Sequence, residues 1–200
     1  MTDLIVATKN QGKLREIKEL LKDFDFNIIS LLDFPDVPQV EEDGKTFAQN
    51  AIKKAVTIAM YTKKLTLGED SGLEVKALGN KPGIHSARFA SEKATDKENN
   101  KKLLKSLKNV PLNKRQARYR SFVAIVDSKR IIDIVNGSCS GIIAKEEKGT
   151  NGFGYDPLFI IPKYKKTFGE LDSAIKAKIS HRARALRKVK QVLIKYLKQK

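Results

Sequence analysis

Residues 117–144, with the sequence ARYRSFVAIVDSKRIIDIVNGSCSGIIA, decide the fold class. They contain two long runs rich in β-branched and aromatic residues, 117–126 and 131–144, on either side of the polar turn Asp127-Ser128-Lys129. Such runs around a short polar turn are typical of paired strands. The pattern therefore predicts an antiparallel hairpin of unusual length.

Before this hairpin, short apolar runs alternate with helical periodicity. Apolar runs predict strands at 3–8, 27–30, 65–68 and 73–78. Apolar residues repeat at helical spacing after Gly12, over Thr46–Tyr61 with Lys53 and Lys54 at its edge, between Thr95 and Pro111, and over about 182–197. With the hairpin and a buried run at 158–161, the alternation predicts a mixed α/β protein whose helices cover a central sheet.

The composition is that of a protein with a hydrophobic core and no covalent cross-link. A chain of 200 residues is long enough to bury such a core as one domain, 1–200. Cys139 is the only cysteine, which excludes an internal disulfide and a cysteine-based zinc cluster. The apolar run Leu4–Ala7 is too short for a signal-peptide core or a transmembrane helix. We therefore expect a cytoplasmic protein with no membrane partner.

The net charge of +17 points to a polyanionic partner. Lys and Arg number 40 against 23 Asp and Glu, and the whole excess lies in residues 101–200. No acidic residue occurs from 176 to 200. A nucleic acid or a nucleotide fits this balance, and so does a solvated basic surface without a partner.

Two polar segments suit phosphate and a hard cation. The turn Thr8-Lys9-Asn10-Gln11-Gly12-Lys13 lies between the first strand and helix, where backbone amides and the helix dipole favour an anion. The carboxylates are Glu41, Glu42 and Asp43, together with Glu69 and Asp70 in a polar tetrapeptide predicted to separate two strands. Oxygen ligands of this kind suit Mg²⁺. An ordinary surface turn and acidic caps of the next helix are the alternative interpretations.

Two later segments suit a flat, polar ligand. Glycines at 149, 152 and 154 flank Phe153, so its ring is a candidate to stack on a base while Asp156 reads the base edge. A glycine-rich turn with core aromatics is the alternative interpretation. Further on, beside Lys176, His181 and Arg182 offer donors for a carbonyl oxygen or a phosphate, and Ser180 is predicted to be the N-cap of the last helix. His85 is the other histidine, and two histidines so far apart do not predict a metal site.

Taken in order, these motifs resemble the inosine triphosphate pyrophosphatase family, which removes ITP, dITP and XTP. The matching segments span nearly the whole chain: Ala7-Thr8-Lys9-Asn10 to Lys13-Glu16, Glu41-Glu42 to Thr46-Phe47-Asn50-Ala51, Glu69-Asp70-Ser71-Gly72, Pro82-Gly83-Ile84-His85-Ser86-Ala87-Arg88, Gly152-Phe153-Gly154-Tyr155-Asp156-Pro157 and Ser180-His181-Arg182. The resemblance implies an elongated mixed central sheet with flanking helices, two lobes around a nucleotide cleft, and a homodimer.

The resemblance also assigns residues to substrate, metal and catalysis. Asp70 matches the catalytic acidic residue, which would hold Mg²⁺ or accept the proton of the attacking water. Glu41 matches a second metal ligand, with the adjacent Glu42 as the alternative. The implied substrate contacts are Thr8, Lys9, Asn10, Gln11, Gly12, Lys13, Ser71, Phe153, Gly154, Tyr155, Asp156, Lys176, His181 and Arg182.

The implied reaction is attack of water on the α-phosphorus, which gives the monophosphate and pyrophosphate. His181 and Arg182 would donate to a 6-oxo group, so the 6-amino group of adenine would oppose them with another donor. Guanine also carries a 6-oxo group, and the sequence does not show how it is rejected. Two residues depart from the family, because Lys9 stands where many members have glycine and Glu69 where many have aspartate.

Two other functions stay open on the sequence. One is a nucleic-acid-binding module that uses the basic second half without catalysis, and the other is a pyrophosphatase for dTTP or a modified pyrimidine. Basic residues are mostly lysine and are not interleaved with a row of aromatics, which favours the enzyme. We therefore expect a nucleoside triphosphate as substrate and no stable complex with nucleic acid.

Overall fold

The computed structural model describes residues 2–34 and 36–198 and has a mixed α/β fold. Its strands and helices are β1 (Thr2–Val6), α1 (Gln11–Leu21), β2 (Phe26–Ser30), α2 (Phe47–Thr62), β3 (Leu65–Val75), α3 (Asp96–Ser106), β4 (Gln116–Val126), β5 (Ile131–Ile143), β6 (Phe159–Ile161), β7 (Lys166–Thr167), α4 (Ser173–Ile179) and α5 (His181–Leu197). None of the helices in this part of the chain is long and apolar enough to cross a membrane.

The seven strands form one mixed sheet in the order β2-β1-β3-β4-β5-β6-β7. Strand β1 pairs in parallel with both β2 and β3, whereas β6 is antiparallel to β5 and β7. Strands β4 and β5 are neighbours joined only by residues 127–130, a connection short enough for a hairpin and too short for a crossover. The predicted mixed sheet with flanking helices and its long hairpin are confirmed.

The chain forms two compact units, and each has its own core. The first unit consists of the described residues of Met1–Asp70, Ser121–Gly137 and Arg182–Lys200, and the second of Ser71–Arg120 and Ser138–His181. The core of the first unit includes Leu4, Val6, Ile17, Leu67, Val123, Ile125, Leu186, Val189 and Leu193. The core of the second includes Leu73, Val75, Leu103, Leu107, Tyr119, Phe159 and Phe168.

Strand β3 corrects one prediction. The polar tetrapeptide at 69–72 does not separate two strands, because one strand runs without a break over Leu65–Val75. Glu69 and Asp70 are each 4% exposed inside it. A polar run in a sequence usually indicates a turn. Here the strand continues, because the buried carboxylates form ion pairs with cationic side chains in the interior.

Helix α2 lies directly on β3 through small residues. Ala51 and Ala55 are fully buried, and a Cβ atom on Gly68 of β3 would come within 2.6 Å of the backbone nitrogen of Ala55. The small alanine side chains of this helix permit the close approach. Thr46 caps the helix by accepting the amide of Gln49, so the acidic residues at 41–43 are not its caps.

The end of the chain contains a helix that the sequence did not predict. Helix α4 spans Ser173–Ile179 with Asp172 as its N-cap, and it ends at Ser180, immediately before α5 begins at His181. Its seven residues are too few for a clear helical repeat of apolar side chains. Lys176 lies in this helix and is buried.

Candidate active site

In the first unit, the N-terminus of α1 carries the predicted phosphate-binding turn. Asn10 is the N-cap: its Oδ1 accepts the amide of Lys13 at 2.9 Å, and its own amide donates to Oγ1 of Thr8 at 3.1 Å. The cap fixes the turn at the positive end of the α1 dipole, and Lys9 and Asn10 are exposed there. This arrangement favours binding of an anion.

Asp70 is buried in β3 and contacts two polar side chains of α2. Its Oδ2 accepts from Nδ2 of Asn50 at 3.1 Å, and its Oδ1 lies 3.4 Å from Nζ of Lys54. Burial raises the pKa of Asp70 above its usual range, although the charges of Lys54 and Lys13 oppose the rise. A carboxylate with a raised pKa is a stronger proton acceptor, as general-base catalysis requires.

Lys54 holds a second carboxylate beside Asp70. Its Nζ lies 3.2 Å from Oε1 of Glu42, so one ammonium group joins Glu42 and Asp70. Glu41 is exposed, and Asp43 pairs with Lys53 at 2.7 Å. Lys54 was predicted at the edge of α2, but it is 8% exposed and points into the protein.

Glu42 and Asp70 fit a magnesium ion in part. Two carboxylates that already share a cation supply the oxygen ligands that Mg²⁺ prefers. Within residues 2–34 and 36–198, no three Asp, Glu, His or Cys side chains form a group that could hold a metal ion. Protein sites for Mg²⁺ commonly supply one or two carboxylates, and substrate phosphates and water complete the shell.

Glu69, next to Asp70 in β3, is the centre of a second buried network. Its Oε1 accepts from Nε of Arg182 at 2.8 Å and from Oγ of Ser121 at 2.7 Å, and its Oε2 lies 3.9 Å from Nζ of Lys13. The guanidinium of Arg182 also donates to Glu16 of α1. Burial disfavours the charge of Arg182, but Glu69 and Glu16 outweigh it and raise the pKa of the guanidinium.

Lys13 lies in a mixed electrostatic environment. Burial lowers the pKa of Lys13, Glu69 opposes this effect, and the neighbouring charges of Lys54 and Arg182 add to it. The ammonium group therefore sits where a further negative charge is favourable. A phosphate group would supply that charge.

In the second unit, the predicted base-binding loop folds around Asp156. Gly152 and Gly154 have φ of +82° and +62°, a conformation that favours glycine. Oδ2 of Asp156 accepts the amide of Phe153 at 2.9 Å and lies 2.5 Å from Nζ of Lys176. The same Nζ lies 4.8 Å from the ring centroid of Phe153, so the lysine holds both the carboxylate and the ring.

Helix α3 fixes the backbone of this loop from outside. Oδ2 of Asp96 accepts the amide of Gly154 at 2.6 Å, and Nδ2 of Asn100 donates to its carbonyl oxygen at 3.2 Å. The hydroxyl of Tyr155 donates to the carbonyl oxygen of Ser86 at 2.8 Å, and burial raises its pKa. These contacts hold the loop directly after Phe153.

The remaining predicted residues have different surroundings. His181 is buried and stacks on Tyr119 in the second unit, with ring centroids 4.6 Å apart and an angle of 11° between the planes. Ser71 follows Asp70 in β3 and is partly exposed. His85 is exposed in a 3₁₀ segment of the second unit.

Sequence reasoning missed several side chains that hold these groups. Asn50 and Lys54 occupy the apolar face of α2, and that position among buried alanines was the available signal. Glu16 lies in a segment that matches the family but was given no role, and Ser121, Asp96 and Asn100 gave no signal of their function, because each acts through a residue distant in sequence.

A capped helix N-terminus, buried carboxylates beside lysines and a rigid aromatic loop on a mixed sheet are typical of α/β nucleotide phosphohydrolases. The model of the Ham1 family matches residues 4–192, and the chain belongs to that family. This confirms the family resemblance predicted from the six motifs.

Named relatives agree with this assignment. The chain is 51% identical over 190 residues to a dITP/XTP pyrophosphatase of Desulforamulus reducens, covering 95% of this chain and 94% of the relative. It is 47% identical over 195 residues to a dITP/XTP pyrophosphatase of Bacillus cereus, covering 96% and 94%. A solved HAM1 protein from Coxiella burnetii has a TM-score of 0.87 and 39% identity, covering 98% of this chain and all of that one.

Proposed function

We propose that the protein is a nucleoside-triphosphate pyrophosphatase that hydrolyses dITP, ITP and XTP to the monophosphate and pyrophosphate. The observation that carries the proposal is the buried Asp70 carboxylate, held by Asn50 and Lys54 in a chain of the Ham1 family. Its raised pKa suits acceptance of a proton from water that attacks the α-phosphorus. The reaction removes non-standard purines from the nucleotide pool, so that they are not incorporated into DNA or RNA.

The triphosphate is bound by residues of the first unit. The capped turn 8–13 supplies amides at the positive end of α1, and Lys13 supplies a full charge. Asp70 holds Mg²⁺ together with Glu41 or Glu42, and the contact between Glu42 and Lys54 supports Glu42. When bound, the ion would neutralise charge on the phosphates and the leaving pyrophosphate.

The base is recognised by donors and by the aromatic loop. Phe153 offers a ring for stacking on a purine, and the contacts from Asp156 and Lys176 keep that ring in place. His181 and Arg182 discriminate by donating to a 6-oxo group, which adenine lacks. Ser71 contacts the substrate next to the catalytic carboxylate.

A panel of nucleoside triphosphates with Mg²⁺, assayed for release of pyrophosphate, tests this function. We expect turnover of ITP, dITP and XTP at least about 100-fold above that of ATP, a ratio that one mismatched buried donor can produce. Asp70→Asn should lower kcat by about 1,000-fold, because it removes the proton acceptor. Asp23→Asn, an exposed carboxylate paired with Lys190 at 3.5 Å, is the matched control.

Two outcomes separate the parts of the proposal. Equal hydrolysis of ATP and ITP would show that the base assignment is wrong, while full activity of Asp70→Asn would show that the catalytic assignment is wrong. Preference for dTTP would support the pyrimidine alternative.

We also propose a cytoplasmic homodimer without a stable nucleic-acid partner. Size-exclusion chromatography with light scattering would check the dimer, and the same measurement with added DNA would check the absence of a nucleic-acid complex.

A further inference from the structure

Glu69 contacts two cations that have different proposed tasks. Its Oε1 accepts from Nε of Arg182 at 2.8 Å, and its Oε2 lies 3.9 Å from Nζ of Lys13. Lys13 belongs to the phosphate-binding turn, whereas Arg182 is assigned to the base. One carboxylate therefore joins the groups proposed for the two ends of the nucleotide.

We propose that Glu69 is a positioning residue that fixes Lys13 and Arg182 together, and so couples binding of the triphosphate to recognition of the base. The inference rests on the proposed function, since it assigns Glu69 a task in the same reaction. Glu69 itself contacts neither water nor phosphate in this proposal and acts through the two cations.

Burial makes these contacts strong enough to set side-chain positions. The side chains of Glu69 and Arg182 are each 2% exposed, and that of Lys13 is 17% exposed. The contact with Arg182 is a charge-assisted hydrogen bond and the contact with Lys13 is an ion pair, and both are stronger here than at the surface because water screens them less. A free lysine or arginine has many rotamers, and a buried carboxylate restricts that choice before the substrate binds.

The neighbours of Glu69 show what its loss would do. Lys13 also faces the positive charges of Lys54 and Arg182 and the negative charge of Asp70, so loss of Glu69 would remove its strongest attraction and leave the repulsion less opposed. Ser121 supports Glu69 from β4 through a hydrogen bond of 2.7 Å to Oε1. Glu69 thus offsets the repulsion between Lys13 and Arg182, and Ser121 holds the carboxylate in place.

Glu16 offers a natural comparison within the same network. It lies on α1 and accepts from Nη1 of Arg182, whereas Glu69 accepts from Nε. The structure thus joins Glu16 to the base-recognising cation, and Glu69 to that cation and to the phosphate-binding one. A variant at position 69 should therefore change both triphosphate binding and base selectivity. A variant at position 16 should change base selectivity alone.

The test measures kcat and KM for ITP and ATP, and the inhibition constant of inorganic tripolyphosphate, which carries no base. Glu69→Gln should weaken tripolyphosphate inhibition and lower the ITP-to-ATP ratio of kcat/KM, each by about tenfold, because both cations lose a charged partner. Glu16→Gln should lower the ratio by a similar factor and change tripolyphosphate inhibition by less than about twofold. Glu19→Gln, an exposed carboxylate on the same helix, is the control.

Rescue separates positioning from mere structure. Glu69→Asp keeps the charge, and we expect both quantities to return to within about threefold of the wild-type values. Equal impairment of Glu69→Asp and Glu69→Gln, or a wild-type value of either quantity in Glu69→Gln, would overturn the inference. If Glu69→Gln does not fold, Ser121→Ala decides: it should shift both quantities in the same direction by about threefold, and no shift in either overturns the inference.

Failure of the proposed function would look different. In that case the wild-type protein itself would release no pyrophosphate from ITP, whatever the variants do. Failure of the inference alone would leave a selective wild-type enzyme whose Glu69→Gln variant keeps its ITP-to-ATP ratio or its tripolyphosphate inhibition. Thermal unfolding of every variant, measured alongside, shows that the compared proteins are folded.

Discussion

The two units hold their buried carboxylates in different ways. In the first unit, Glu69 and Asp70 lie side by side in a strand, and cations from three helices meet them: Lys13 from α1, Lys54 from α2 and Arg182 from α5. In the second unit, Asp156 lies at the end of a glycine-containing loop, where it meets Lys176 and accepts the amide of Phe153.

The two units differ in what keeps these groups in place. The network of the first unit depends on how closely the helices lie on the sheet, because strands and helices carry its charged groups apart from Glu42. The network of the second unit depends on backbone conformations that glycine permits, and on the contacts of Asp96 and Asn100 with the loop. Packing changes should therefore damage the first, and backbone changes the second.

The largest expected effect is that of Gly68→Ala in the first unit. A Cβ atom at this position would lie 2.6 Å from the backbone nitrogen of Ala55, so α2 must move away from β3. We expect the free energy of unfolding to fall by about 4 kcal/mol, as for severe overpacking of a core. Chemical denaturation would measure it. Activity should fall too, since α2 carries Lys54 and Asn50 to Asp70.

Gly79→Ala is the matched control for this prediction. Gly79 has a φ of +62° and no atom within 4 Å of an added Cβ, so the substitution adds backbone strain without a clash. Its cost should be about 1 kcal/mol. If Gly68→Ala destabilised the protein no more than Gly79→Ala does, direct contact of α2 with β3 would not be what holds the first network.

A pair of glycines in the second unit gives the next largest effect. Gly152→Ala and Gly154→Ala both place alanine at a positive φ, but only at position 152 would the new Cβ meet Asp156, 2.8 Å from its Cγ. We expect losses of about 3 kcal/mol for Gly152→Ala and about 1 kcal/mol for Gly154→Ala. KM for ITP should rise more in the first variant, and equal effects of the two would contradict a loop built around Asp156.

Most elements of the fold could be predicted from the sequence, because their apolar residues repeat with a clear period. The first two helices and the long hairpin lie within a residue or two of their predicted bounds. Helix α3 lies within the predicted interval between Thr95 and Pro111, and a capping box of Thr95 and Glu98 marks its start. Strand β3 was predicted incorrectly, since its polar tetrapeptide is stabilised by partners distant in sequence, which local patterns do not reveal.

The candidate site, like the fold, has a part that the sequence predicted and a part that only the structure shows. Motifs indicated Asp70, Lys13 and the loop at 152–156, because a family resemblance is carried by individual positions of the sequence. The structure added what those residues contact: Lys54 between two carboxylates, and Glu69 between two cations. Such contacts depend on packing of α1, α2 and α5, and no segment read alone contains them.

The smallest effects come from neutralising one buried carboxylate in each unit. Asp156→Asn removes a negative charge that faces the buried ammonium of Lys176, and we expect a loss of about 2 kcal/mol at pH 7, since the amide oxygen still accepts a hydrogen bond. Adding Lys176→Met to that variant should recover part of the loss. Chemical denaturation of the two single variants and the double variant would measure it.

Asp70→Asn should act in the opposite direction. Burial raises the pKa of Asp70 in the folded state, so its ionised form is disfavoured there relative to the unfolded chain. Stability from this group is complete below its unfolded pKa of about 4 and is lost as pH rises through the raised value. Asp70→Asn should therefore raise the Tm by a few degrees at pH 8 with a chelator present, and the gain should shrink as pH falls toward 5. A drop in Tm at pH 8 would show that Lys54 and Lys13 stabilise the Asp70 carboxylate more than burial disfavours it. The ionised carboxylate would then be stabilising in both units.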